Sequence, residues 1–119
     1  MPDQTPRPDP ESLLPLTHIT YHLLLSLARG EKHGYGIIKD VAERTDGRLE
    51  IEAGTLYAAI KRMRDDGLIV EVEAPPEADA RRRYYTVTPF GREVLRLESR
   101  RLESMVELAR EAEILRPGP

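Results

Sequence analysis

The chain contains no cysteine and no tryptophan, and one phenylalanine among its 119 residues. Without cysteine there is no disulfide, no thiolate zinc site and no cysteine nucleophile. No apolar run approaches the roughly 18–20 residues that span a bilayer. The start is polar and proline-rich, where a secretory leader would be apolar. The expectation is a soluble, cytoplasmic protein. A glycine-rich phosphate loop, a nucleophile motif and a completed set of metal ligands are also missing, so neither an enzyme nor a cofactor is expected. Net positive charge is lacking too: 18 Lys and Arg against 21 Asp and Glu leave −3. This argues against a generally basic nucleic-acid coat protein and leaves room for a DNA binder whose positive charge is local.

What is present suits a single domain with one core, 39% apolar and 33% charged. Residues 1–15 hold five of the ten prolines, and Asp3, Asp9 and Glu11 outweigh Arg7. This stretch is predicted as a disordered or extended tail rather than a basic arm, with Leu13 and Leu14 free to fold back onto the body. Thr17 can cap a first helix running to about Arg29, with Ile19, Leu23, Leu24 and Leu27 on one face. Leu16 and Tyr21 stand where a hydrophobic staple is expected. His18 and His22 share a face of this helix at a spacing that can hold a metal. Two ligands do not make a site, so a polar surface edge is the preferred reading.

A second helix is predicted from about Gly34 to Thr45, with Ile38, Val41 and Ala42 inward and Tyr35 and Ile37 adding contacts. His33 is read as a loop or helix-start residue bonded to backbone. Asp46-Gly47 stops it, and Arg48 to Ile51 alternates in the manner of a short strand. The stretch Ala53–Ile69 is the centre of the chain. Leu56, Ala59, Ile60 and Met63 form an apolar stripe at three- and four-residue spacing, and Gly67 ends the helix. Its opposite face carries Thr55, Tyr57, Ala58, Lys61 and Arg62.

Leu68, Val70 and Val72 then alternate with Ile69, Glu71 and Glu73, a half-buried strand. After a loop at 74–80, a second strand over 83–88 sets Tyr85 and Val87 on one side. Arg81, Arg82 and Arg83 are predicted at the tip of this hairpin. Thr88-Pro89 is a helix start. The helix that follows meets no proline before Pro117 and covers roughly 25 residues, about 40 Å at 1.5 Å each. Val94, Leu95 and Leu97 suit packing on the same chain. Leu102, Met105, Val106, Ala109 and Ala112 continue the stripe beyond the reach of so small a globule and suggest a second copy.

Helix, helix, short strand, helix, strand, loop, strand is the order of a winged helix-turn-helix, a mainly α, α+β fold. The expected division is a tail over 1–15, a DNA-binding domain over 16–88 and a dimerisation helix over 89–115. In such a fold the third helix enters the major groove and the hairpin touches the flanking backbone.

Several ordered motifs then resemble the PadR-like transcriptional regulators: His33-Gly34-Tyr35-Gly36-Ile37-Ile38, Gly54-Thr55-Leu56-Tyr57, Gly67-Leu68-Ile69, Arg83-Tyr84-Tyr85 and Val87-Thr88-Pro89-Phe90-Gly91. The resemblance spans roughly Leu16 to Arg110, and the single final helix fits the shorter subfamily. It implies a homodimeric repressor of a near-palindromic double-stranded operator, released by a small hydrophobic or aromatic effector. That effector would sit where the first and last helices meet across the dimer. Some members stack flat aromatic drugs on an interface tryptophan; with no tryptophan here, that pocket is not carried over.

The chain also departs from the family pattern. Glu52-Ala53 replaces a common Ser-Pro, Ala58 replaces a proline, and Ala80-Arg81-Arg82 replaces Gly-x-Pro. Glu52 brings a carboxylate to where a phosphate would lie; either it turns away as a cap or it weakens non-specific affinity.

The expected DNA contacts are Thr55, Tyr57, Ala58, Lys61 and Arg62, with Arg81, Arg82 and Arg83 from the wing. Tyr57 is read either as a phosphate ligand or as a side chain wedged against the second helix. Lys61 and Arg62 either read guanine or hold phosphate, the commoner use. Arg64 is expected to pair with a nearby Asp or Glu on the helix surface, and Tyr35 to be structural. The rival reading is a winged helix that binds protein and never touches DNA, which the net acidity favours.

Overall fold

The computed structural model describes residues 8–79 and 81–115. Helix α1 is His18–Ala28. The Thr17 hydroxyl accepts from the Thr20 N–H at 3.1 Å, filling one of the donors a helix start leaves open. Leu23, Leu24 and Leu27 are fully buried. Ser26 is buried among them and escapes an unpaired hydroxyl by donating to Asp40 of the next helix at 2.8 Å.

That helix, α2, is Gly34–Arg44. Its cap is His33, whose ring Nδ1 accepts from the Gly36 N–H at 3.0 Å. Ile37 and Val41 are its buried residues along with Gly34, while Ile38 is half-buried, so the inner stripe is rotated slightly from the predicted one. Asp46 and Gly47 both adopt positive φ, 52° and 77°, and end the helix as predicted.

Two expectations about strands are corrected. Arg48 to Ile51 forms no strand; strand β1 is Lys32–His33, ahead of α2. It pairs antiparallel with strand β3, Tyr84–Val87, through Lys32↔Tyr85 and His33↔Tyr84. Leu49 and Ile51 alternate because an extended connection drops them into the core, where Ile51 is 5% exposed. Two paired residues, by contrast, leave no alternation to read. Strand β2 is Ile69–Val72, and the sheet order is β1-β3-β2. Here Leu68 and Ile69 are both buried while Val70 is 47% exposed, so the inward set is not Leu68, Val70 and Val72. Leu68 still belongs to the turn ending helix α3, Ala53–Asp65: Gly67 has φ 75° and the Leu68 N–H returns to the Met63 carbonyl at 2.8 Å. Strand periodicity therefore starts one residue later, with Ile69 opposite Val87 and Glu71 opposite Tyr85.

Helix α4, Pro89–Glu111, starts under the Thr88 hydroxyl, which accepts from the Gly91 N–H at 2.9 Å. Val94 and Leu95 pack into the core, with Leu97 half-buried. Glu98, 1% exposed, is the one buried charge of this helix. It accepts from the Leu16 N–H at 2.7 Å and from the Arg101 guanidinium, and that Arg101 hydrogen bond holds its carboxyl below the usual range.

In the described part of the expected tail, Leu13 and Leu14 do fold back onto the body, and the disorder expected there is corrected. Pro10–Leu13 form a short 3-10 helix, and Leu13, Leu14 and Leu16 pack on the core. Apolar leucines outweigh the prolines there, because three of them clustered together bury enough surface to order the segment. Residues 1–7 of the expected tail lie outside the described residues. No helix among the described residues is long and apolar enough to cross a membrane.

Candidate nucleic-acid interface

Leu56, Ile60 and Met63 of α3 are sealed in the core at 0–3% exposure. Because side chains three and four apart share a helix face, this fixes the opposite face outward. Thr55, Tyr57, Ala58, Lys61 and Arg62 are all exposed there. At the helix start, Glu52 occupies the cap position but makes no capping hydrogen bond. Gly54 has open space where a side chain would stand.

Tyr57 leans on the second helix and still stands open to solvent. A Cβ on Gly34 would lie 3.2 Å from its hydroxyl, so the ring leans across the start of α2, yet Tyr57 is 58% exposed. Tyr35 stands 64% exposed, stacked on the His33 ring at 6.4 Å between centroids. Arg82 lies over Tyr35 at 5.8 Å, with a guanidinium nitrogen 2.8 Å from Nε2 of His33. His33, Tyr35, Tyr57, Arg82 and Arg83 border a concavity of about 410 Å³ between the start of α2 and the wing. A second groove, about 520 Å³, runs between α3 and the sheet beside Lys61, Arg64 and Tyr85.

The hairpin loop makes two turns, and the wing arginines begin in the second. In the first the Ala78 N–H bonds the Pro75 carbonyl at 2.9 Å, because the paired prolines preset the bend. In the second the Arg82 N–H bonds the Asp79 carbonyl at 3.0 Å, so Arg81 and Arg82 stand in a turn and Arg83 leads into β3. Arg81 is held by both oxygens of Asp79, at 3.2 and 3.1 Å, and its hydrogen bonds keep that carboxyl below its ordinary value. Arg83 lies 3.7 Å from Glu71, Arg64 lies 3.8 Å from the same oxygen, and Lys61 lies 3.1 Å from Asp65. Arg62 has no such partner among the described residues.

His18 and His22 meet edge to face with 4.7 Å between centroids, and no third metal-ligating side chain joins them among the described residues. On α4, Met105 and Val106 are 52% and 39% exposed and Leu102 and Ala109 are half-buried, while Ala112, just past its end, is exposed.

His33 carries a pH dependence. Burial, and then the Arg82 charge, push its pKa below the ordinary value. The folded state therefore favours the neutral ring, which is the form able to accept the Gly36 N–H. That contribution to stability is complete above the ordinary histidine value of about 6.5 and is lost as pH falls through the lowered folded value. His22, lowered by burial and then by His18, adds in the same direction. Asp40 and Glu98, both lowered, lose their contributions only below the ordinary carboxylate value of about 4. The thermal midpoint is thus expected to decline from about pH 6.5 downward. His33→Asn, which keeps a capping acceptor, should flatten part of that decline; an identical pH profile would show that His33 does not contribute.

A helix with a buried stripe and an exposed polar face, set between α2 and a β-hairpin with a basic limb, defines a winged helix-turn-helix. Residues 23–97 match the transcriptional regulator PadR-like family, and the chain belongs to that family. It is 34% identical over 93 residues to the transcriptional regulator Rv3488 of Mycobacterium tuberculosis, covering 78% of this chain and 80% of that one. Among solved structures it resembles a PadR family transcription regulator of Clostridium difficile, with 25% identity and a TM-score of 0.68 over 79% of this chain and 96% of that one. It shares the fold of Bacillus subtilis PadR in complex with operator DNA, at 21% identity and a TM-score of 0.58, over 88% of this chain and 51% of that one. The protein is a transcriptional regulator and not an enzyme.

Proposed function

We propose that the chain acts as a homodimeric repressor that binds a near-palindromic DNA operator, with 16–88 as the DNA-binding domain and 89–115 as the dimerisation helix. The observation that carries this reading is the uniform exposure of Thr55, Tyr57, Ala58, Lys61 and Arg62 along one face of α3. Lys61 and Arg62 supply local cations despite a net charge of −3, and open space at Gly54 allows close approach of a phosphate to the helix start. That Bacillus subtilis PadR has been solved with operator DNA adds support. A small effector releasing the DNA completes the reading. An apolar cleft of about 350 Å³ between α1 and α2, beside Leu25, Ala28 and Val41, is one place for it.

The test is a titration of the chain against duplex DNA from upstream of its own gene, with a shuffled duplex as reference. Tighter binding to the first supports the proposal; binding to neither defeats it and returns the winged helix to protein recognition. Within a binding-competent protein, Arg82→Ala with Arg83→Ala is expected to weaken both complexes alike. The slope of log affinity against log salt should flatten by about 0.9 for each phosphate that the wing no longer neutralises. An unchanged slope would remove the wing from the interface.

A further inference from the structure

We infer that Glu71 sets the level of sequence-independent DNA affinity, by holding one arginine of the reading helix and one of the wing on a single carboxylate oxygen. The inference rests on the DNA-binding reading above. Oε1 of Glu71 lies 3.8 Å from Nη1 of Arg64 and 3.7 Å from Nη1 of Arg83. Arg64 is in the last turn of α3 and borders the groove between that helix and the sheet. Arg83 is on the returning limb of the wing and borders the concavity at the start of α2. Glu71 sits on β2 directly opposite Tyr85, which is 4% exposed and lines both hollows. One anion thus ties together the two elements that would flank a DNA backbone.

The other paired cations differ. Lys61 and Asp65 are neighbours one helical turn apart, 80% and 65% exposed, and Arg81 and Asp79 belong to one turn of the loop. Each such pair is local to its own element. Glu71 is held between two elements, with its side chain 39% exposed. An arginine that moves to a phosphate must first leave this carboxylate, and the carboxylate then remains beside the DNA as a repelling charge. Both effects act on any sequence, because phosphates carry no sequence information. A regulator with few free cations on its reading face is thereby kept from binding DNA at random.

The experiment compares wild type, Glu71→Gln and Glu73→Gln on the shuffled duplex across a salt series. Glu73 is a nearby carboxylate without an ion pair among the described residues, so it reports the effect of charge alone. Glu71→Gln is expected to raise shuffled-duplex affinity by about two- to fivefold for each arginine released, the range of exposed ion pairs. Its salt slope should steepen, since freed arginines neutralise further phosphates, and Glu73→Gln should give a smaller change. In an Arg83→Gln background the gain from Glu71→Gln should shrink, because one of the two captives is gone. Matching melting curves would show that the variants are folded.

If wild type binds the upstream duplex and Glu71→Gln gains nothing, the inference fails while the DNA-binding reading stands. An equal gain in Glu73→Gln would reduce Glu71 to bulk charge and overturn it. A loss of affinity would overturn it too, making Glu71 a residue that positions the arginines for DNA. Wild type binding neither duplex would defeat the DNA-binding reading and this inference with it.

Discussion

Gly91→Ala is expected to lower the unfolding free energy by about 3 kcal/mol, at the upper end of overpacking effects. A Cβ at this position would stand 2.1 Å from the Leu68 carbonyl oxygen, 2.9 Å from its carbon and 2.8 Å from Val87 Cγ2. The carbonyl cannot easily retreat. It accepts from the Thr88 N–H at 2.9 Å, and the Thr88 hydroxyl, which caps α4, spans the Gly67 and Leu68 carbonyls at 2.6 and 3.1 Å. Relief therefore requires α4 to lift from the sheet, which would uncover Val94 and Leu95, or the β2–β3 junction to open. Gly54→Ala provides the contrast. Nothing lies within 4 Å of its added Cβ, and alanine in a helix is favoured over glycine by up to about 1 kcal/mol. Chemical denaturation should separate the two variants in opposite directions. Wild-type stability in Gly91→Ala would show that this junction is looser than the packing indicates.

Loss of the dimer, and with it at least about a hundredfold of operator affinity, is the expected outcome of Met105→Glu combined with Val106→Glu. Both side chains are largely exposed on a single chain, 52% and 39%, so the substitutions cost the isolated fold little. In the proposed dimer they would place four carboxylates into an apolar seam, where an unpaired buried charge costs several kcal/mol. A single winged helix then forfeits the second half-site. The geometry demands a pair, since two α3 helices about 34 Å apart are needed to enter successive major grooves on one side of the duplex. Sedimentation would report the assembly and DNA titration the affinity. A variant that still sediments as a dimer would move the interface elsewhere, whereas a monomer with undiminished affinity would separate DNA binding from dimerisation.

Much of the architecture could be read along the chain because its signals are local. The stripe Leu56, Ile60 and Met63 repeats every three or four residues, the caps at Thr17 and Thr88 stand directly before their helices, and Gly67 follows the last turn of α3. Each is written within one or two helical turns, where backbone geometry alone links residue spacing to direction. The same periodicity indicated which side of α3 faces outward, and hence the candidate contacts Thr55, Tyr57, Ala58, Lys61 and Arg62.

The interface was less legible where it depends on residues far apart in sequence. Arg82 meets His33 across 49 positions, and Glu71 reaches Arg64 and Arg83 from a different element than either. Nothing in the neighbourhood of these residues foretells such contacts, and a run of three arginines reads as free cations until the carboxylates beside Arg81 and Arg83 are located. Strand β1 was hidden for a related reason: two residues are too few to show alternation, and their role comes from the partner strand. The sequence by itself determined four helices, a hairpin and the outward face of α3. Only the tertiary structure decided the strand register, the need for glycine at Gly91 and the partners of each wing arginine, because those follow from which surfaces meet when the elements pack.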